Sequence, residues 1–313
     1  MKEKYKLGYC CINVQLADKD ITCNRGMVKK TFEKKGHDYV SEVAIGNIKD
    51  LITILQWNVD HNIRLYRVTS NLFPWMSEYE ISELPRFEEI SSLLLEAGNL
   101  AKSSGQRLTF HPGPFNVLGS PDENAVNKTI KDLNNHSEIF DLMGLEASHY
   151  YPVNIHVGGT YDSKNDTLAR FCSNFKRLSA TAQKRLVVEN DDRPSMYCVK
   201  ELYDGIYSNV GVPITFDYHH HRFNSGGLTE EQALRLAAST WDCEQLVHYS
   251  SCKKTFEDPA SKALAHADWV YEKIKTYGLY LDIELEAKAK ELAVFDYNRR
   301  KNDKSLLNEY IEL

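Results

Sequence analysis

Short apolar, β-branched or aromatic runs alternate along the chain with longer segments whose apolar residues recur every three to four positions. The short runs fall at residues 6–12, 64–68, 107–110, 153–157, 186–189, 213–216, 245–249 and 279–284. Their length and composition predict β-strands. The segments between them predict helices. Residues 47–61 place Ile48, Leu51, Ile52 and Leu55 on one face, and residues 87–104 do the same with Ile90, Leu94, Ala97 and Ala101. Further helices are expected near 123–143, 167–182, 196–208, 230–240 and 260–277, with a charged helix after Glu286. Asp122 and Thr229 stand where N-terminal caps belong, and Gly105 and Gly278 where helices stop.

Strands and helices in strict alternation predict an α/β fold, a (β/α)₈ TIM barrel. We expect one catalytic domain over residues 1–313, with a peripheral tail from about 296 to 313. The rival is an open doubly wound sheet, which usually carries a glycine-rich strand-to-helix turn. Neither GxGxxG nor GxxxxGK[ST] occurs, and Gly158-Gly159 alone makes no phosphate loop.

Composition changes this picture little. A 313-residue chain that is 42% hydrophobic can bury one large core. The first residues, MKEKYKLGYC, lack the apolar core of a secretory leader, and no apolar stretch reaches membrane length. The expected location is therefore intracellular, in cytoplasm, nucleoid or nucleus. The seven cysteines, at 10, 11, 23, 172, 198, 243 and 252, form no CxxC and suit free thiols in a reducing compartment. Net charge is −6, so no general basic coat exists. Phosphate binding can still be local. Lys29, Lys30, Lys34 and Lys35, and Arg64 with Arg67, cluster, and solvated surface is the plainer reading of each cluster.

The chemistry collects at the strand ends. The third strand runs into His111, the fourth into His156, the fifth into Glu189 and the sixth into Asp217 followed by His219, His220 and His221. The seventh carries His248 and the eighth runs into Glu286. In a barrel these ends converge on one face, where catalysis resides. A single histidine there has a structural explanation. Six convergent sites of this kind would repel and desolvate one another unless cations neutralise them. Mixed N and O donors suit zinc, manganese or iron, and the absence of cysteine argues against a structural zinc. Two or three metals fit the number of donors better than one. Clustered divalent ions suit phosphoester hydrolysis, because they acidify water, hold the phosphate and neutralise the leaving oxygen. His266 lies off the strands, just before or in the helix expected at 260–277. Three adjacent histidines at 219–221 cannot all face one metal, since an extended segment alternates their side chains.

Several of these segments resemble one family. TFHPG around His111, VVEND around Glu189, FDYHHHRFN around Asp217, VHYSS around His248 and LDIELEAK around Glu286 are similar to the UV-damage endonucleases (UvdE). So are LGY around Tyr9 and YRVTSNLFPW from Tyr66 to Trp75. The resemblance runs from Leu7 to about Glu291. It implies a TIM barrel that nicks double-stranded DNA on the 5′ side of a lesion, with pyrimidine dimers, 6-4 photoproducts and abasic sites as substrates. It implies up to three divalent metals, commonly manganese, with zinc or magnesium as alternatives. The implied ligands are His111, His156, Glu189, Asp217, His220, His248, His266 and Glu286, and the Asp-x-x-His pattern selects His220 from its run. Glu189, Glu286 and His248 are the implied catalytic groups, with Glu189 and Glu286 bridging metals. Tyr9 matches a position that probes distorted DNA, with Asn13 beside it. Two positions depart from the family. Leu246 stands where members usually carry a lysine that can become carboxylated and bind metal, and Pro114 stands where they tend to carry a glutamine.

Three functions are therefore weighed: a lesion-directed, metal-dependent endonuclease, expected to be monomeric and to need no organic cofactor or membrane; a sugar isomerase or epimerase on a similar metal barrel; and a lesion-DNA binder whose site the Leu246 change has weakened. Nicking of irradiated plasmid, turnover of ketoses, and binding without cleavage separate them.

Overall fold

The computed structural model describes residues 5–301. Eight parallel strands close in sequence order: β1 Tyr5–Cys10, β2 Leu65–Val68, β3 Arg107–Phe110, β4 Val153–Ile155, β5 Leu186–Glu189, β6 Ile214–Asp217, β7 Gln245–Tyr249 and β8 Leu281–Leu285. β1 pairs with β8 from Tyr5↔Leu281 to Tyr9↔Leu285, which closes the ring. The expected (β/α)₈ barrel is the observed fold.

The helices, in order, are α1 Val14–Ala17, α2 Lys29–Asp60, α3 Phe87–Ser104, α4 Glu123–Leu142, α5 Lys164–Phe175, α6 Ala180–Arg185, α7 Val199–Leu202, α8 Ser208–Val210, α9 Tyr218–Phe223, α10 Glu230–Ala238, α11 Lys253–Phe256 and α12 Glu291–Arg300. α3 buries Ile90, Leu94, Ala97 and Ala101, as its periodicity predicts, and stops at Gly105 with φ 68°. Asp122 and Thr229 cap α4 and α10 through their side chains. α2 starts eighteen residues ahead of the expected position 47, with its backbone broken at Gly36 (φ 63°).

Two expectations are corrected. Residues 260–277 form no helix, although Ala263, Ala267, Val270 and Ile274 have helical spacing. Their backbone groups bond outward instead: Ala267 N–H to Ser251 O at 2.9 Å, Lys288 N–H to Ala267 O at 3.3 Å and Ala289 N–H to Asp268 O at 3.0 Å. The segment is laced between the loops that follow β7 and β8, and His266 forms an antiparallel bridge with Cys252. The histidine run is helical, not extended, because Asp217 caps α9 by accepting from His220 N–H at 2.7 Å. The tail expected to be peripheral from 296 begins inside α12. There Tyr297 is buried and Arg300 donates to Val270 O at 2.8 Å. Residues 302–313 of that tail lie outside the described residues. Among the described residues no helix is long and apolar enough to cross a membrane.

Alternation along each strand sorts the side chains. Leu7 and Tyr9 of β1 face the helical layer, while Arg67, Thr109, Asn154, Glu189, Asp217, His248 and Glu284 face the barrel axis near its C-terminal end.

Candidate metal centre

Glu189 ends β5, fully buried, and the candidate ligands gather around its carboxylate. His111 Nε2 and His248 Nδ1 each lie 3.0 Å from Oε2, and His156 Nε2 lies 3.8 Å from it. His220 Nδ1 is 3.2 Å from Oε1 and 3.9 Å from Asp217 Oδ1. Two groups of donor atoms are tight enough to share a cation: His111, His156 and Glu189, and Glu189, Asp217 and His220, each within 4.8 Å. Glu189 belongs to both. His248, Glu286 and His266 continue the cluster on the β7–β8 side, with His248 Nδ1 3.6 Å from Glu286 Oε1 and His266 Nδ1 3.5 Å from Glu286 Oε2. All eight expected ligands thus meet at one end of the barrel.

Partners behind the imidazoles orient them. His111 Nδ1 is 3.2 Å from Pro112 O, His220 Nδ1 is 2.8 Å from Asn190 O, and His266 Nδ1 is 3.2 Å from Glu286 O. His156 Nδ1 lies 3.0 Å from Asp191 Oδ1. Such outer contacts fix the tautomer and leave the other nitrogen for a metal.

Electrostatics separate the groups. Burial pushes the Glu189 carboxyl up, but His248, His156 and hydrogen bonds from His111 and His220 hold it well below the usual range. Burial raises Asp217, and the field of Glu189 adds to it against the pull of His220. Glu284 is driven down to about 2, because Arg67 and His248 outweigh its burial. Burial lowers His111, whereas Glu189 and Asp191 overcome burial at His156 and raise it. Glu189 Oε1, Asp217 Oδ2 and His248 Nδ1 are buried without a hydrogen-bond partner. An uncompensated buried carboxylate is costly. A cluster of N and O donors around such oxygens, with no thiolate among them, fits divalent cations.

Several functional neighbours escaped the reading of the sequence. Arg67 was grouped with surface charge, yet it is buried and donates from Nε to Glu284 Oε2 and from Nη1 to Glu286 Oε1, both at 2.6 Å. Asn154 donates to Glu189 Oε2, and Thr109 to Glu284 Oε1. Strand alternation carried the signal: Arg67 and Thr109 are opposite one another in the β2–β3 register, on the inward face.

Tyr9 and Asn13 are buried in this structure. Tyr9 is 0% exposed; its hydroxyl donates to Asn58 Oδ1 at 2.8 Å and accepts from Asn13 Nδ2 at 3.0 Å. Asn13 is buried and caps α1. Odd positions of β1 point away from the barrel axis, toward α2. Leu246, two residues before His248, is buried opposite Asp282 and offers no donor atom. Pro114 is exposed on the loop after β3, next to Phe115, which is 89% exposed. A groove of about 550 Å³ lies beside the candidate ligands, lined by Trp75, Met76, Phe115, Asn116, Lys128 and His136 among others. Ser70 links the two, donating to His111 O at 3.1 Å.

The profile of the family described as UV-endonuclease UvdE matches residues 5–310. The chain belongs to this family. It is 34% identical over 307 residues to the UV-damage endonuclease of Schizosaccharomyces pombe, an alignment covering 94% of this chain and 50% of that protein. It is 30% identical over 297 residues to the UV DNA damage endonuclease of Clostridium perfringens, covering 92% and 68%. The chain thus spans about half the length of the fission-yeast relative. The crystal structure of SacUVDE superposes with a TM-score of 0.80 at 29% identity, covering 94% of this chain and 98% of that one. Endonuclease IV from Thermus thermophilus (TM-score 0.55, 11% identity) and a D-psicose 3-epimerase from Clostridium cellulolyticum (0.51, 12%) share the barrel.

Proposed function

We propose that this chain is a metal-dependent DNA-repair endonuclease that hydrolyses a phosphodiester on the 5′ side of UV photolesions, pyrimidine dimers and 6-4 photoproducts, and of abasic sites. The observation that carries this reading is the pair of donor groups sharing the buried Glu189 carboxylate, in a chain of the UV-endonuclease family. His111, His156 and Glu189 would hold one divalent cation and Glu189, Asp217 and His220 another, with manganese as the proposed ion. Bound there, the cations supply charge stabilisation of the phosphoryl oxygens and a lowered water pKa.

The protein's own groups do the rest. Glu286 is held ionised against burial by Arg67. Its Oε1 is occupied by that guanidinium, and its Oε2 lies 3.5 Å from His266 Nδ1. His248, 0% exposed, acts through Glu189 and Glu286 rather than on substrate. Substrate contact falls to the loops at the strand ends. Trp75, Phe115 and Tyr161 are exposed on the loops after β2, β3 and β4, and Arg193, Lys254 and Lys288 on those after β5, β7 and β8. Aromatic faces stack on unstacked bases and cations follow the phosphate backbone. A damaged step costs less to unstack, which favours lesions. With Pro114 at the glutamine position, the probing surface here is apolar and stacks instead of hydrogen-bonding.

The test is incubation of UV-irradiated and undamaged supercoiled plasmid with Mn²⁺. Selective nicking of the irradiated plasmid is expected, and equal nicking of both, or none, overturns the reading.

A further inference from the structure

We propose that residues 29–35, at the start of α2, form a basic arm that binds the sugar-phosphate backbone of undamaged duplex beside the lesion. This rests on the endonuclease reading above and adds to it a surface remote from the candidate metal ligands.

The backbone sets the arm apart from the rest of α2. Gly36, at φ 63° and ψ −157°, holds a conformation that a side chain would bar. A Cβ there would meet nothing within 4 Å, so the glycine serves the bend and not a close approach. The arm therefore departs from the line of the segment that buries Ile48, Leu51 and Leu55. Phe32 fixes it in place, stacked on Trp75 with ring centres 6.0 Å apart and packed against Tyr79 at 6.4 Å. The Trp75 indole in turn donates to Met27 O at 2.8 Å, which holds the approach to the arm.

Its charge is concentrated. These seven residues carry four lysines and one glutamate, in a chain whose net charge is −6. Lys29, Lys30, Lys34 and Lys35 are all exposed. Glu33 lies 3.7 Å from Lys29, and Lys35 covers the Tyr39 ring at 3.6 Å. Glu78, the next acid along the rim, is taken by Lys128 at 2.6 Å. Lys30 and Lys34 stand one turn apart, away from Phe32, with no acidic partner among the described residues. Local stability opposes this arrangement. Like charges four residues apart repel, and cations oppose the dipole at a helix start, where α2 has no acidic residue. Exposed charge held at a cost to its own helix fits an anionic partner.

Position names the partner. Helices that follow barrel strands begin at the C-terminal end, so the arm stands at the mouth. Trp75, on which it is seated, also lines the groove beside the candidate ligands, together with Phe115 and Lys128. In the closed ring β1 and β5 are opposite one another. The arm after β1 and the exposed Arg193 after β5 therefore flank the centre from opposite sides. A duplex laid across the mouth meets cations on both. An acidic chain cannot hold a polyanion by its overall field and needs such local clusters.

The test is the salt dependence of binding. Affinity of the full chain for a long undamaged duplex is followed by fluorescence anisotropy over a range of KCl concentrations. Each phosphate contact contributes about 0.9 to the slope of log K against log salt. Lys30→Gln with Lys34→Gln is expected to make that slope shallower by about 2, with the unfolding midpoint in place. Lys30→Arg with Lys34→Arg is expected to keep the wild-type slope. Glu33→Lys adds a cation beside Lys29 and Lys30 and is expected to steepen the slope by about 1, which serves as the reading should the glutamine variant fail to fold. An unchanged slope in the folded glutamine variant, an equal loss in the arginine variant, or an unchanged slope in Glu33→Lys overturns the proposal. So does a wild type that does not bind the duplex. Binding to undamaged DNA is read without cleavage, so these outcomes are separate from the plasmid assay, where absence of selective nicking removes the endonuclease reading itself.

Discussion

At the N-terminal end of the barrel, Arg107 is fully buried and donates to Tyr150 O, Glu244 O, His149 O and Asp282 Oδ2 at 2.6, 2.7, 3.0 and 3.0 Å. At the C-terminal end, Glu189 and Asp217 are equally buried, yet Glu189 Oε1 and Asp217 Oδ2 have no hydrogen-bond partner. The floor has its own orphan in Asp282 Oδ1, but there it stands beside a guanidinium, whereas the mouth gathers several such atoms around one carboxylate. Both ends bury charge inside the same strands. The floor neutralises it from within the chain and so consolidates the fold. The mouth accumulates carboxylates beyond its internal cations, and that surplus marks a place for ions from outside.

This contrast can be broken or sharpened by substitution. Glu189→Gln, at the mouth, is expected to lower plasmid nicking by about a thousandfold or more. Its thermal unfolding in the metal-free state should fall below that of the wild type, since the histidines that hold the carboxylate ionised lose their counter-charge. Retained nicking would take Glu189 out of the mechanism. Arg107→Met, at the floor, leaves the buried Asp282 with Lys6 at 3.5 Å and strips the carbonyls of His149, Tyr150 and Glu244 of their donor. A loss of about 3–5 kcal/mol is expected in urea unfolding, with nicking per folded molecule kept. Phe115→Ser tests the rim. Affinity for lesion-bearing duplex should fall by about 1–3 kcal/mol in a titration, while the unfolding midpoint stays in place. An unchanged affinity would exclude this loop from recognition.

The smallest effect concerns His136, buried in the wall of the groove and packed edge-on against Phe110 at 4.9 Å. Burial lowers its proton affinity below the ordinary value of 6.5, against the pull of Asp132. Below that pH the unfolded chain takes up a proton that the folded chain refuses, so stability falls as pH falls. The slope from this group is at most about 1.4 kcal/mol per pH unit. His136→Gln is expected to flatten the stability profile just below pH 6.5, and an unchanged slope would place the sensitivity elsewhere.

Much of the mouth was legible in the sequence, because a strand's last inward residue must face the barrel opening whatever the loops do. His111, His156, Glu189 and Asp217 follow from that rule alone. Arg67 obeys the same rule, but its neighbour Arg64 made the pair look like surface charge. Tyr9 stands on the other face of its strand. Its odd position on β1 sends the ring outward to Asn58, and the period of two predicts this once the inward face is known. Residues 260–277 misled for another reason. Their apolar spacing is helical, but the loops after β7 and β8 compete for the same backbone groups and win, which no local pattern records.

The pairing of β1 with β8 has a consequence for synthesis. Arg67 reaches Glu284 and Glu286 across more than two hundred residues of chain, and His266 and Glu286 emerge from the ribosome late. Contacts of such long range form slowly and only once both partners exist. A partly made chain therefore carries the histidines of β3 and β4 without the strand that completes the ring. The candidate centre is therefore complete only once the last strand closes the ring.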